Sequence, residues 1–439
     1  MPTPPFHAPP HRVVIVGGGA GGLELAARLG RAHGPACVTL VDERPFHIWK
    51  PSLHEAAAGT LDIHQEGLSY LMLAHMCHFS FVLGRMQRVD RTNRTVSVQS
   101  VVDASGVPII PERALPYETL VLAIGSISNF YGTPGAAEHA ITLDSTESAE
   151  QFRLTLLKAM IQVDQAKVHD PTARLNIVIV GGGATGVELA VELHEASHVI
   201  GAYGLPSFRP ERDLSITVLE GAPRILAALP EKLARAAHAR LAELGIKVQT
   251  GRRVAEVTAQ DVRTEDGVHF DAHLCLWAAG IQGPAVLREL DLPVNRIGQL
   301  EVNERLETAD PYVLAFGDCA AAPWKGHGTV PARAQAAHQQ ATYLARKIGL
   351  RIRGLPEAPG GYVYKDHGSL VSLGQGAGVG SLMGKLAGRG LFVSGTLARF
   401  MYMSLHLMHH RALLGIWRTA CLALGRVLLR RTRPRVKLH

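Results

Sequence analysis

Apolar residues along this chain fall into two kinds of run. Val13-Val14-Ile15-Val16 is unbroken and β-branched, the pattern of a strand buried on both faces. Past a glycine cluster, Leu23, Leu25, Ala26 and Leu29 follow with the spacing of a helix. The same succession returns at 177–193, where IVIVGGGATGVELAVEL repeats VVIVGGGAGGLELAARL of 13–29 with 12 identities in 17 positions. Apolar runs at 38–41, 216–219 and 313–316 predict further strands. Those at 120–124 and 274–279 stop on Gly125 and Gly280, where the backbone must pass close to something. Short strands alternate with turns over 79–124, a polar helix covers 145–169, and another helix runs from Pro331 to Gly349. Strands alternating with helices make this an α/β chain with two nucleotide modules.

The glycines between each strand and helix carry the first chemistry. Gly17, Gly19 and Gly22 form G-x-G-x-x-G, and Gly181, Gly183 and Gly186 form it again. The first glycine permits a tight turn, the second lets a diphosphate approach the backbone, and the third lets helix and strand pack closely. Free N–H groups at the helix start then face the diphosphate. A single such motif is weak evidence; two, each set between a buried-strand pattern and a helix pattern, predict two dinucleotide sites. Asp42 lies 20 residues past Gly22 at a strand end, where a carboxylate accepts hydrogen bonds from ribose hydroxyls, with Glu43 the alternative. Glu220 matches Asp42 in the second module. A carboxylate there favours a free 2′-hydroxyl over a 2′-phosphate, although Arg224 lies close by in sequence.

Composition narrows the class. Cys37, Cys77, Cys275, Cys319 and Cys421 are scattered, without C-x-x-C or zinc-type spacing, so no disulfide scaffold, dithiol pair or metal site is predicted. Residues 1–10 are Pro-rich without an apolar core and read as a disordered lead rather than a secretory signal. After Asp366 come 11 Lys or Arg and no Asp or Glu, leaving 34 basic against 38 acidic residues before that point. The body is mildly acidic and the tail strongly basic. Within the tail, Leu413, Leu414, Trp417, Ala420, Leu424, Val427 and Leu428 recur at helical spacing, with Arg411, Arg418, Arg426 and Arg430 marking a polar stripe. Arg399, His406 and Arg411 interrupt any spanning window, so a basic amphipathic helix lying in a lipid headgroup layer fits better than a transmembrane one. The tail shows no nucleic-acid-binding motif. It can support a homodimer or a monomer docked on a membrane.

Other chemistry is spread along the chain. Lys50-Pro51, in a long loop at 46–62, can approach a bound ring. Asp318, in a turn after the 313–316 strand, can accept from ribityl hydroxyls. Gln335 and Gln339 sit four apart and share a helix face. A strand pair is expected at 363–364 and 370–373.

Taken together, these stretches resemble the type II NADH:quinone oxidoreductases, the single-chain, non-pumping respiratory NADH dehydrogenases. The more selective likenesses are GSISNFYGTPGAAEHAITLDSTESAEQF (125–152), AQAAHQQ (334–340) and YKDHGSLVSLG (364–374). The resemblance implies two Rossmann-like domains, FAD in the first and NADH in the second, with a quinone near Gln335 and Gln339. Glu188 falls where that family places a glutamate beside the nicotinamide, and Glu24 holds the same position in the first copy. Expected boundaries are 11–165 and 286–350 for the FAD-binding domain, 166–285 for the NADH-binding domain, and 351–439 for a membrane-associating C-terminal region. The expected location is the cytoplasmic face of an inner membrane, as a peripheral protein. The rival readings are a soluble NAD(P)H:acceptor flavin reductase, a sulfide:quinone oxidoreductase, which needs cysteines at the flavin, and a redox-sensing FAD-binding protein.

Overall fold

The structure is a computed structural model that describes residues 11–374, 378–384, 387–394, 396–429 and 436–437. The lead at 1–10, Arg430, and the side chains of Arg399, His406, Arg426 and Val427 lie outside that description. In chain order the elements that position the site begin with β1 (Val13–Val16), α1 (Ala20–His33) and β2 (Val38–Asp42). Next come α2 (Leu53–Ala58), α3 (Tyr70–Cys77), β3 (Ser80–Leu83) and β4 (Thr119–Leu122). They are followed by β5 (Ala140–Thr142), α4 (Thr146–Ala166), β6 (Leu175–Val180), α5 (Ala184–Ala202) and β7 (Leu214–Glu220). The remainder are α6 (Glu231–Glu243), β8 (Lys247–Thr250), β9 (Leu274–Trp277), β10 (Val313–Ala315), α7 (Ala334–Ile352) and β11 (Gly368–Ser372). Strands β12 (Gly378–Gly384) and β13 (Ala387–Ser394) and helix α8 (Thr396–Leu429) complete them.

Two compact units result. The first comprises the chain to Trp49, Gly67–Ile127 and Gln282–Lys365. Its parallel sheet has the order β10-β4-β1-β2-β3. Val13 to Val16 and Thr119 to Leu122 are buried throughout, as β-branched and leucine runs covered on both faces should be. A small antiparallel sheet of Met86–Asp90, Thr95–Val98 and Arg113–Pro116 extends the core through Met86, Val96 and Val98.

The second unit comprises Lys50–Glu66, Ser128–Ile281 and the chain from Asp366 onward. It repeats the plan, with a parallel sheet of order β5-β9-β6-β7-β8 and a three-stranded antiparallel sheet at Val254–Val257, Asp261–Thr264 and His269–Asp271. Helix α4 starts on a capping box in which Ser145 and Ser148 bond reciprocally.

The compact units divide elsewhere than at the expected boundaries. Residues 50–66 and 128–165 adjoin the first module in sequence, yet belong to the second unit, and the chain after 366 belongs there too. Three local expectations also change. The 46–62 loop contains helix α2. Helix α7 starts at Ala334 with Arg333 as N-cap and continues through Gly349 to Ile352. Gly349 does not stop it, because a Cβ there would lie 3.3 Å from His33 of α1; the glycine serves helix–helix packing. Residues 363–364 pair with nothing: β11 pairs with β12 instead. Tyr364 is buried and packs edge-on to Trp324 at 5.0 Å, while Val363 is exposed.

No helix among the described residues is long and apolar enough to cross a membrane. Helix α8 breaks at Gly415, whose backbone is left-handed (φ 78°).

The closest packing in the first unit is at Gly22, where a Cβ would meet the Gly17 carbonyl oxygen at 1.9 Å. Gly22→Ala is expected to cost about 1–3 kcal/mol or more through overpacking. Thermal denaturation together with the flavin-to-protein ratio checks this: the purified variant should melt earlier and carry less flavin.

Candidate functional site

In the first unit the turn after β1 is built from backbone. Gly17 adopts φ +102°, its N–H bonds the Val41 carbonyl at 2.8 Å, and a Cβ there would strike Ala123. Above Gly19, by contrast, a Cβ would meet nothing within 4 Å. That open space lies at the N-terminus of the 14-residue α1, where unpaired N–H groups favour an anion. Asp42 closes the turn from the side. Its carboxylate accepts from the N–H groups of Gly18 (2.6 Å) and Arg44 (2.9 Å), and burial pushes its pKa up. Glu43 turns away, half exposed, toward Arg44 and Arg85.

Sequence reasoning missed two groups here. The Tyr70 hydroxyl donates to the Gly18 carbonyl at 2.7 Å, and His47 Nδ1 lies 2.9 Å from the same oxygen. Gly18 lacks a Cβ because Tyr70 occupies that space. At the end of β4, Gly125 has φ +73° with open space where a Cβ would be. Beyond β10, Asp318 accepts from the Ser126 hydroxyl at 3.3 Å, and its carbonyl accepts from Gln299.

The second unit repeats the construction. Gly181 has φ +112°, Gly186 packs on the Gly181 carbonyl, and Gly183 again opens onto empty space at a helix start. Glu220 accepts from the N–H groups of Gly182 and Ala222, each at 2.7 Å. Arg224 donates to the carbonyls of Leu226, Ala227 and Leu229, so it braces its own loop. Gly280 (φ +68°) is covered by Tyr131, whose hydroxyl sits 1.9 Å from where a Cβ would be. Lys50, grouped with this unit, opens an exposed 3₁₀ turn ahead of α2.

The glutamines on α7 have separate tasks. Gln339 holds the Lys365 backbone at both ends of its amide, donating to the carbonyl at 2.8 Å and accepting from the N–H at 3.0 Å. Its neighbour Gln340, not singled out from the sequence, is buried and accepts from the Gly317 N–H at 2.9 Å, fixing the turn that bears Asp318. Gln335 is half-buried in the first turn of the helix.

Glu24 and Glu188, equivalent in the repeat, differ in their partners. Glu24 is fully buried and paired with Arg28 (2.6 Å) and His338 (2.6 Å). Glu188, 7% exposed, accepts from the Ser372 N–H at 2.9 Å and lies 3.8 Å from His54 Nδ1. Burial raises its pKa to about 8 and lowers that of His54 to about 4, so both are uncharged at neutral pH.

All five cysteines are free thiols. Burial pushes Cys319, in the Asp318 turn, and Cys275 up to about 12, which leaves neither as a nucleophile. No group of three or more metal-ligating residues occurs among the described residues.

Two cradles, each with an open glycine at a helix start and a carboxylate at the next strand end, define a two-dinucleotide flavoprotein oxidoreductase. Residues 11–341 match the pyridine nucleotide-disulphide oxidoreductase family. The chain is 39% identical to the type II NADH:quinone oxidoreductase of Haemophilus influenzae, over 97% of this chain and 99% of that one. It is 29% identical to a demethylphylloquinone reductase of Synechocystis, over 88% and 89%. In structure it is similar to NDH2 from Plasmodium falciparum in complex with NADH, with TM-score 0.77 and 17% identity, covering 93% and 96%. The chain belongs to the type II NADH:quinone oxidoreductases. It uses FAD and NADH.

Replacing Glu220 with alanine removes the acceptor for two N–H groups of the second cradle. Hydrogen bonds to charged groups contribute about 1.5–3 kcal/mol, so the KM for NADH is expected to rise roughly 10-fold to 100-fold, with the preference over NADPH shrinking. Steady-state kinetics with both nucleotides checks this; an unchanged preference would remove Glu220 as the selector.

Proposed function

We propose that this chain binds a membrane surface and there oxidises NADH, passing two electrons through FAD to a quinone without moving protons across the membrane. The observation that carries the reading is the paired cradle in a chain with no reactive thiol pair and no metal cluster among its described residues. Bound FAD supplies the chemistry that accepts hydride from a nicotinamide and releases electrons to a quinone.

The chain's own groups bind and orient. The helix starts at Gly19 and Gly183 hold the diphosphates, Asp42 and Glu220 take ribose hydroxyls, and Asp318 takes ribityl hydroxyls. Glu43 points away from the turn, so Asp42 is the ribose partner. The N-terminus of α7 faces developing negative charge with free N–H groups. Gln335 is assigned to the quinone carbonyl, while Gln339 positions the 361–365 strap, because a quinone at Gln339 would displace two backbone bonds. Gly125, Gly280 and Lys50 shape the ring surroundings, and Glu188 positions the nicotinamide.

Membrane binding rests on the second half of α8. Beyond Gly415, Ile416, Trp417, Leu424 and Leu428 are 61%, 84%, 61% and 60% exposed. Leu413 and Thr419 are buried, so the helix has one covered side and one bare apolar side. Arg411 and Arg418 are exposed beside it, in a segment with no acidic residue. Each such cation contributes about 1 kcal/mol near anionic lipid, and each buried large side chain about 1.5–3 kcal/mol. With no secretory signal read from the sequence and all cysteines free, the cytoplasmic face of an inner membrane is the proposed location.

Anaerobic NADH should bleach the flavin spectrum of the purified protein, and a short-chain quinone should restore it at catalytic rates. Bleaching without recovery would point to a different acceptor. In co-sedimentation with anionic vesicles, the double substitution Trp417→Ser, Leu424→Ser is expected to weaken binding more than tenfold. Vesicle binding that is unaltered, alongside a concentration-dependent loss of dimer, would assign the face to a second copy of the chain.

A further inference from the structure

Glu188 is a buried carboxyl that the repeat leaves without a cation. In the first copy the residue one turn on is Arg28, which pairs with Glu24; in the second it is Glu192, a like charge. The groups facing Glu188 are His54 and Glu55 from α2, Glu192 from its own helix, and the Ser372 N–H from β11. None of these carries a positive charge at neutral pH, and no lysine or arginine pairs with Glu188 among the described residues.

His54 is the second half of the arrangement. It is 2% exposed, its Nδ1 lies 3.8 Å from Glu188 Oε2, and its ring also hydrogen-bonds the Pro51 carbonyl. Nε2 is buried and has no partner. An orphaned buried nitrogen costs stability and calls for an explanation. A ring with Nδ1–H toward the carbonyl and carboxyl presents Nε2 as a vacant proton acceptor. Reduction of a quinone to a quinol takes two electrons and two protons. Hydride from NADH supplies both electrons and one proton, so one more proton must come from the solvent.

We propose that His54 is a positioning residue acting through Glu188: it returns to Glu188 the proton that the carboxyl gives up in each turnover. The Glu188 O–H bond breaks as the quinol O–H forms, leaving a carboxylate. Nε2 of His54 takes a proton from water, and Nδ1–H passes to Oε2. The pair returns to two neutral groups, with the imidazole in its other tautomer until the ring proton re-equilibrates. This inference rests on the reading of Glu188 as a reaction residue.

The tests use the full-length holoprotein in its unaltered form and with His54→Phe or His54→Asn. His54→Phe is expected to lower quinone turnover about 100-fold, within the range for a lost general acid–base group, and to shift its pH profile. NADH-driven bleaching should fall far less, and added imidazole should restore part of the quinone rate. His54→Asn retains an N–H donor and cannot relay, so it should fail in the same way even where His54→Phe folds poorly. Equal loss in both half-reactions without imidazole rescue would overturn the proposal.

A second readout does not depend on activity. Infrared difference spectra near neutral pH should show a protonated carboxyl band that is absent in Glu188→Gln and displaced in both His54 variants; a band that ignores His54 overturns the pairing. The sign of the linked stability follows from the raised pKa of Glu188. The native state holds the proton more tightly than the unfolded chain, so stability falls as pH rises from about 4.5 to about 8. The Glu188→Gln variant should flatten that fall. If the unaltered protein reduces no quinone, the functional reading fails, and the infrared comparison still decides the pair.

Discussion

Both nucleotide cradles depend on one close approach made without side chains. In each, the carbonyl of the first motif glycine lies where a Cβ on the third would stand, at 1.9 Å for Gly22 and again for Gly186. That approach seats the helix start directly over the turn, so its free N–H groups converge on the open volume above Gly19 or Gly183. Any larger residue would lift the helix and move those donors. The neighbouring carboxylates then have little freedom: Asp42 and Glu220 each bond the N–H of the middle glycine and one N–H just past their own strand. Geometry set by backbone packing thus fixes where a diphosphate and a ribose can lie.

Local physics accounts for what was legible in the sequence. Unbroken β-branched runs have few alternatives to a buried strand, and the G-x-G-x-x-G spacing has a steric meaning at every glycine, so β1, β6, both turns and both strand-end acids were readable. The α/β fold class follows from the same signals. What was misread depends on contacts distant in sequence. Gly349 looks like a helix stop, but its bare Cα faces His33 of α1 and the helix runs on. Residues 128–165 look like an extension of the first module, and only packing assigns them to the second unit. Gln339 reads as a ligand residue, whereas its amide is spent on Lys365, and the turn that bears Asp318 is fixed by the adjacent Gln340.

Duplication and divergence meet at Glu24 and Glu188. The motif copies agree at this position, and the strongest argument against a special role for Glu188 had been that Glu24 shares it. The partners break the tie. Glu24 is neutralised by Arg28 and His338, the ordinary way to bury a carboxylate. Glu188 has a glutamate at the corresponding turn and a neutral histidine across from it, so its burial is tolerated only in the acid form. One substitution in the repeat, arginine to glutamate, separates a structural ion pair from a proton-bearing group. His54 could not be read as its partner from sequence, since α2 reaches α5 only through the tertiary fold of the second unit.

The same reasoning explains why the pair needs the fold around it. A carboxyl with a pKa near 8 in water-filled surroundings would ionise, and a histidine near 4 would charge if solvent reached it. Their neutrality therefore depends on α2 staying seated. Its C-terminus ends on Gly59, whose carbonyl accepts from the Lys437 N–H at 2.8 Å, and the Lys437 carbonyl is held by the buried Arg153 of α4. Lys437 also reaches Asp62 at 3.3 Å, and Val436 packs beside Gly59. The basic tail thus does more than present an apolar face in α8, because its last described residues clamp the helix that carries His54. Loosening that clamp would admit water to the pair and lower the pKa of Glu188, coupling the seating of the tail to the proton chemistry of the second unit.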